Sequence, residues 1–354
     1  MTPLVAGGGP AGTTAAILLA RGGAAPRLLE RTTGPHDVVC GAFLGWDALA
    51  NLAALGIDPA ALGAHPITRI RMIAGGRRIE TALPHPAAGL SRRRLDEALL
   101  DLAVTAGVGL ERGVTIREAI GTTLRLADGG TATGDALFLA TGKHELRGAA
   151  RPRAAAPSIG FRTALPASRP LTAALDGIIE LHAFDGGYAG ILLQEDGRAN
   201  LCLSVEAHRV GSGGIDALLL ELQHRAPLLA ERTATATGWN AIAGVPYGWR
   251  ATETEAGLFR LGDQAAVIAS LAGDGVAIAL ASGRSAAAAY LRGGPQAAMG
   301  WQRAFAARAR RPLAVAGGIR HLAEHPRWRG PMARLLATLP GIARIAARAT
   351  RIGH

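Results

Sequence analysis

Near its start the chain reads Val5-Ala6-Gly7-Gly8-Gly9-Pro10-Ala11-Gly12, and the spacing Gly7-x-Gly9-x-x-Gly12 decides its fold. The apolar stretch Pro3 to Ala6 ahead of it suits a buried strand. Behind it, Ala15, Leu18 and Leu19 fall on one face of a helix that Gly22-Gly23 ends. Ala25 to Leu29 predicts a second strand, ending in Glu30, so strand, tight turn, helix and strand make a βαβ unit. The glycines of such a turn allow a tight reversal, close approach of backbone to a pyrophosphate, and helix-strand packing. The helix N-terminus adds unpaired N–H groups and the positive end of its dipole. Glu30 lies about 20 residues beyond the turn, where it can accept hydrogen bonds from ribose hydroxyls.

With 354 residues, the chain is long enough for a nucleotide-binding domain and a second, substrate-facing one. Hydrophobic residues make up 49% and charged residues 18%, which provides ample apolar side chain for a core. The net charge of +11 invites a nucleic-acid reading. Aromatics are only 4%, however, the arginines are scattered, and no nucleic-acid-binding signature is visible, so no nucleic-acid partner is expected. Cys40 and Cys202 lie far apart and match no metal-ligand spacing; they are read as reduced thiols of a cytoplasmic protein with no metal site. The uncharged opening lacks the basic start of a signal peptide, and no stretch is long and uncharged enough to span a bilayer. Lys143 is the one lysine among 38 basic residues; where arginine is the default, its retention points to a function.

Further along, Trp46 to Leu55 predicts a helix stopped by Gly56, and Ile67 to Ile73 with Ile79 to Leu83 a hairpin around Gly75-Gly76. Ser91 is an N-cap for a helix through Leu95, Leu99, Leu102 and Ala106. Ala136 to Ala140 predicts a buried strand, followed by Thr141-Gly142. The segment Arg147 to Arg153 reads as a linker. Ile178 to Phe184, Ile191 to Gln194 and Ala199 to Val205 predict strands of an antiparallel sheet, with Gly186 to Gly190 lying between strands. Leu258 to Leu261 is again a short strand, followed by Gly262-Asp263 and a helix from Val276 to Leu291.

The opening motif with Leu28-Leu29-Glu30-Arg31 closely resembles the FAD-binding start of the geranylgeranyl reductase family, within the wider group typified by p-hydroxybenzoate hydroxylase. Cys40-Gly41, Ser91-Arg92, Gly262-Asp263 and Gly273-Asp274-Gly275-Val276 match in the same order, so the resemblance covers nearly the whole chain. It implies a Rossmann-like α/β FAD-binding domain of GR2 type with an inserted antiparallel β-sheet substrate domain. The expected bounds are 1–65, 88–150 and 246–295 for the FAD domain and 66–87 and 151–245 for the substrate domain, with 296–354 as a C-terminal helical segment. It further implies that Gly7, Gly9, Pro10, Ala11, Gly12, Glu30, Arg31, Arg92, Thr141 and Gly142 hold the cofactor. Asp263 would contact the ribityl chain, with Gly262 beside it, and Gly273, Asp274, Gly275 and Val276 would pack against the flavin. Cys40 and Gly41 would lie beside flavin and substrate.

Two departures bear on the reaction. Thr141-Gly142-Lys143-His144 stands where the hydroxylases carry Asp-Gly. Ala269-Ser270-Leu271-Ala272 and Ala277-Ile278 stand where they usually place a proline and an asparagine. Both lean towards a reductase or dehydrogenase, with hydride transfer at flavin N5, NADPH or NADH as a source of electrons, and a hydrophobic isoprenoid or polyketide substrate. An FAD monooxygenase of secondary metabolism and, more remotely, a non-catalytic FAD-binding protein remain open. Lys143, His182, Tyr188 and Cys40 are the catalytic candidates, His182 or Tyr188 as proton donor. Arg344, Arg348 and Arg351 are expected on one helical face and Ile342, Ile345 and Ile352 on another, an arrangement suited to peripheral contact with the inner face of the membrane.

Overall fold

Strand β1 (Leu4–Ala6) is wholly buried, and the chain turns from it directly into helix α1 (Pro10–Arg21) before strand β2 (Arg27–Glu30). Pro10 is tolerated there because the first turn of a helix has no intrahelical partner for its N–H. This computed structural model describes residues 2–152, 157–339 and 341–352. Strand β3 (Phe43–Leu44) and helix α2 (Trp46–Leu55) lead to the hairpin of β4 (His65–Ala74) and β5 (Arg77–Gly89). Helix α3 (Arg92–Thr105) starts at Ser91, whose hydroxyl accepts a hydrogen bond from the Arg94 N–H at 3.2 Å. Strands β6 (Gly109–Arg112), β7 (Ile116–Ile120), β8 (Thr123–Leu126), β9 (Thr131–Thr133) and β10 (Leu137–Leu139) follow.

The chain then runs through β11 (Ser158–Leu165), α4 (Arg169–Leu175), β12 (Gly177–Phe184), β13 (Gly187–Leu193) and β14 (Ala199–Glu206). Helices α5 (Ala207–Val210), α6 (Gly214–Arg225) and α7 (Pro227–Thr233) precede β15 (Asn240–Val245) and β16 (Leu258–Arg260). Helices α8 (Gly275–Gly293), α9 (Ala297–Glu324), α10 (Pro326–Thr338) and α11 (Gly341–Ala349) complete the described chain. Among the described residues, no helix is long and apolar enough to cross a membrane.

Three sheets result. The first is parallel, in the order β16-β10-β1-β2-β6. Helices α1 and α8 cover it and cross closely: a Cβ on Gly283 would collide with the Ala11 carbonyl oxygen, so only glycine fits there. An aromatic cluster anchors this layer, with Phe138 and Phe259 stacked at 4.7 Å and Tyr290 and Trp301 packed on Phe259. The second sheet, β15-β11-β14-β13-β12-β4-β5-β3, is antiparallel except where β12 pairs with β4. The third is the small antiparallel meander β7-β8-β9. The α/β class with a parallel Rossmann-like core and a separate large sheet is the expected architecture.

Three readings need correction. Gly186 to Gly190 does not lie between strands: the turn is confined to Asp185-Gly186, and β13 begins at Gly187, where a Cβ would strike Phe184 and the Ser204 carbonyl. The segment read as a linker is anchored. Leu146 and Ala149 are buried, and the Arg151 guanidinium bonds Glu145 and the carbonyls of Lys143 and Asp263, at 2.7, 2.9 and 2.8 Å. Its last residue, Arg153, lies outside the described residues. At the C-terminus, Arg351 turns inward instead of joining Arg344 and Arg348 on the exposed face, and Ile352 is buried.

Within the second sheet, Glu180 is fully buried and bonds Arg71 at 2.9 Å, His182 Nε2 at 2.9 Å and Arg232 at 3.1 Å. Burial opposes its charge, but the hydrogen bonds from His182 and Arg71 and the nearby cations outweigh it, lowering its pKa from 4.5 to about 2. A depressed carboxyl pKa stabilises the fold fully above pH 4.5, and the contribution is lost as pH falls towards 2. Glu180→Gln should therefore cost about 3 kcal/mol at neutral pH, by removing the buried counter-charge that Arg71 and Arg232 share and leaving Arg71 to Glu80 and Arg232 to the exposed Glu231. Urea denaturation at several pH values should show a shallower acid limb for the variant. An unchanged limb and unchanged neutral stability would reject this account.

Candidate functional site

β1 connects to β2 on one side of the parallel sheet, while β10 leads onward to β16 on the other. Such a switch point leaves a crevice beyond the strands' carboxyl ends, and a cavity of about 440 Å³ opens there. Gly7, Gly9, Pro10 and Ala11 line it. Gly12 lies one layer beneath: a Cβ there would collide with the Gly7 carbonyl oxygen and push α1 off the sheet. The first intrahelical bond of α1 runs from Thr13 N–H to the Gly9 carbonyl, so the Ala11 and Gly12 N–H groups have no helical partner. Gly275 and Val276, at the head of α8, line the same cavity ahead of that helix's first bond, from Ile278 to Asp274. Two helix N-termini thus offer N–H donors and positive dipole ends to one space, an arrangement suited to a pyrophosphate.

Glu30 ends β2 at the cavity wall. It accepts from the Gly8 N–H at 2.6 Å and from the Thr32 N–H and hydroxyl at 2.8 Å each. Burial disfavours its charge, yet the bonds from Thr32 and Gly8 outweigh burial and hold its pKa below the usual value. Oε1 takes both Thr32 bonds and Oε2 the Gly8 bond, so Oε2 keeps lone-pair capacity for a further donor. Arg92 grips Asp96 with a two-bonded pair at 2.8 and 2.7 Å, and both residues line the cavity close to Gly9. Arg31 also lines it, 3.4 Å from His144.

Thr141, Gly142 and Lys143 follow β10 along the cavity wall, opposite Gly262 and Asp263. Lys143 Nζ lies 3.4 Å from Asp263 Oδ2, and the carboxylate's attraction outweighs burial, raising the lysine's pKa. Cys40 and Gly41 line the same space. The Cys40 sulfur accepts from the Ala42 N–H at 3.4 Å, and its carbonyl from Asn200 at 3.0 Å. Cys202 faces the cavity from β14; burial pushes its thiol up to about 12, which keeps it protonated and unreactive. Beyond these polar groups the walls become apolar, with Phe43, Leu203, Ile242, Val267 and Ile268.

Other expected site residues fall elsewhere. Gly273 lines the cavity but Asp274 does not: its carboxylate is 1% exposed and ion-paired with Arg351, which stacks over Trp46 at 3.8 Å. His182 is remote from the cavity, buried against Glu180. Tyr188 is one residue removed: its hydroxyl donates to Ser270 Oγ at 2.6 Å, and burial raises its pKa well above the ordinary value. Ser270 in turn lies 2.8 Å from the hydroxyl of Tyr247, and these two residues do line the cavity. Arg320 packs over the Tyr247 ring at 4.7 Å. The sequence reading missed Tyr247, although it is one of only three tyrosines and stands in a Pro246-Tyr247-Gly248 turn.

FAD fits this arrangement on the structure's own terms. The helix N-termini offer donors for its pyrophosphate, Glu30 and Asp263 offer acceptors for sugar and ribityl hydroxyls, and apolar walls flank the far end. Among the described residues, no cluster of ligands suits a metal ion. No family model and no curated protein matches the sequence. Solved structures do. HpxO from Klebsiella pneumoniae, in complex with FAD and uric acid, is 18% identical, with 100% of this chain covered, 97% of that chain, and a TM-score of 0.79. The flavin-dependent brominase Bmp2 is 17% identical over 99% of this chain and 93% of its own, with a TM-score of 0.78. A geranylgeranyl bacteriochlorophyll reductase-like protein from Thermoplasma acidophilum is 17% identical over 99% and 96%, with a TM-score of 0.77. The chain therefore has the fold of the FAD-dependent oxidoreductases, shared by monooxygenase-type and reductase-like members alike.

Proposed function

We propose that this protein is an FAD-dependent oxidoreductase that reduces a hydrophobic small molecule of isoprenoid or polyketide type. The observation that carries the reading is the Tyr188-Ser270-Tyr247 hydroxyl chain at the edge of a cavity whose lining would suit a dinucleotide. When bound, FAD supplies hydride transfer at N5, with NADPH or NADH as the source of electrons. Reduction of a carbon–carbon double bond needs a proton as well as a hydride, and the protein holds one ready. Tyr188 donates to Ser270, which lies within bonding distance of Tyr247, and the Tyr247 hydroxyl, also 3.3 Å from Ser204 Oγ, would give its proton to substrate. Gly7, Gly9, Ala11, Gly275 and Val276 would hold the pyrophosphate and flavin by their backbone, Glu30 the ribose and Asp263 the ribityl chain. Lys143 holds the Asp263 carboxylate in place, and Arg92 lies beside the head of α1. Cys40, Phe43, Leu203, Ile242 and Val267 would surround an apolar substrate and exclude water.

A monooxygenase is the second reading, favoured by the solved neighbours that include one described as a probable FAD-dependent monooxygenase from Pseudomonas aeruginosa. Anaerobic turnover of photoreduced enzyme separates the two. Conversion without O₂ to a product that has gained hydrogen supports the reductase; strict O₂ dependence with incorporation of labelled oxygen overturns it. Tyr247→Phe should lower kcat by about 100-fold while FAD affinity stays unchanged. A normal kcat in that variant would remove Tyr247 from the proton path.

Delivery of an apolar substrate would fit a peripheral membrane contact through α11, where Arg344, Arg348 and the 68% exposed Ile345 face outward. Flotation with anionic liposomes should be salt-sensitive and abolished by Arg344→Glu with Arg348→Glu; no flotation of the native protein would dismiss the contact.

A further inference from the structure

A second cavity, of about 290 Å³, opens where the β4–β5 turn, the end of β12 and the α6–α7 corner meet, and it shares no lining residue with the first. Its floor is apolar, formed by Phe184, Leu222, Pro227 and Leu229. Its rim carries five arginines, Arg77, Arg78, Arg209, Arg225 and Arg329, against one acidic side chain among the described lining residues, Asp185. Nearby carboxylates answer only part of this charge. Asp185 pairs with Arg329 at 2.6 Å, and Glu221 is shared between Arg209 at 2.9 Å and Arg225 at 3.5 Å. Arg78 is 3.9 Å from Glu80, which already holds Arg69 and Arg71 at 2.6 and 2.9 Å.

The cavity also has an unmet polar group inside. The ring of His182 lines it and is 2% exposed; Nε2 bonds Glu180, while Nδ1 is buried without a hydrogen-bond partner. Buried polar atoms are costly to leave unpaired, so an orphan facing a cavity marks where a ligand atom belongs. Guanidinium groups suit phosphate oxygens, and a rim of several cations favours a phosphate, with three oxygens to share among them, over a carboxylate.

We propose that this cavity is a second ligand site, for a phosphate monoester carrying a short apolar group. The phosphate lies on the arginine rim, the apolar group covers Phe184, Leu222, Pro227 and Leu229, and His182 Nδ1, an acceptor because Nε2–H donates to Glu180, takes the proton-bearing P–O–H of the monoanionic ester as its partner. Neither catalysis nor FAD binding uses these residues, so the site acts separately from the flavin cavity.

Isothermal titration of the full-length, FAD-loaded protein with n-hexyl phosphate tests it. One saturable site is expected, with inorganic phosphate bound more weakly because it leaves the apolar floor uncovered. The exposed side chains of Arg78 and Arg225 allow charge reversal without disturbing the core. Arg78→Glu with Arg225→Glu should weaken hexyl phosphate at least about tenfold, with FAD content unchanged. In histidine-labelled protein, the ¹⁵N signal of His182 should move with the same saturation curve. Vesicles containing phosphatidic acid separate the sources of the monoester: competition with hexyl phosphate identifies a lipid headgroup, and its absence a soluble ester. Failure of hexyl phosphate to saturate a single site, or binding indifferent to the charge reversal, would overturn the proposal.

Discussion

Gly9→Val should yield a folded but colourless protein, with affinity for FAD lowered about a thousandfold. Gly9 has φ −76° and ψ −179°, a conformation open to any residue, so valine brings no backbone strain. A Cβ at that position meets only the end of the Arg92 side chain, at 3.2 Å, and that long side chain can give way. The branches of valine would instead occupy the space at the head of α1 through which a pyrophosphate must approach the Ala11 and Gly12 N–H groups. Gly12→Val makes the contrast: its side chain drives into the Gly7 carbonyl, so that variant loses the packing of helix on strand along with the ligand. Flavin fluorescence titration together with thermal unfolding of FAD-free protein resolves the two effects. Stoichiometric FAD in Gly9→Val, bound as tightly as before, would show that the turn does not hold the cofactor.

Arg351→Ala should destabilise the fold by about 4 kcal/mol, because it leaves the Asp274 carboxylate buried with no counter-charge. Burial lowers the pKa of Arg351 to about 10, yet the group remains cationic at neutral pH, paired with Asp274 and stacked on Trp46. Asp274 sits at the start of α8, next to the Gly275 and Val276 backbone that lines the large cavity. Loss of the pair should thus loosen the flavin-facing turn and weaken FAD as well. Asp274→Asn in the same chain removes the stranded charge and should restore most of the stability, a coupling that a double-mutant cycle measures. Urea denaturation of the four proteins decides it. A single Arg351→Ala variant within about 1 kcal/mol of the native protein would mean that the pair behaves like an exposed one.

What the sequence determined by itself is the part governed by neighbours along the chain. The glycine spacing after β1, the Ser91 cap, the Gly75-Gly76 hairpin and the short strands before Thr141 and Gly262 each follow from local periodicity and turn chemistry. From these the βαβ unit and the wall from Gly7 to Glu30 could be read; Arg92 and Asp263 came with the family resemblance and Lys143 from its being the one lysine, and all three line the large cavity. The tertiary structure alone decided which side chains meet from distant segments. Asp274 looked like a cofactor ligand because its Gly-Asp-Gly turn is local, but its partner, Arg351, arrives from the far end of the chain and turns the carboxylate inward. His182 looked available as an acid until the fold bound its Nε2 to Glu180 and placed it outside the flavin cavity, and Tyr247 gained its place only when Ser270 joined it to Tyr188. Arg151 sits in a stretch whose composition reads as linker, yet its guanidinium is buried against the carbonyls of Lys143 and Asp263. A residue's propensity is set by the backbone next to it, whereas its charge state, burial and partner are set by whatever the fold brings within a few ångströms.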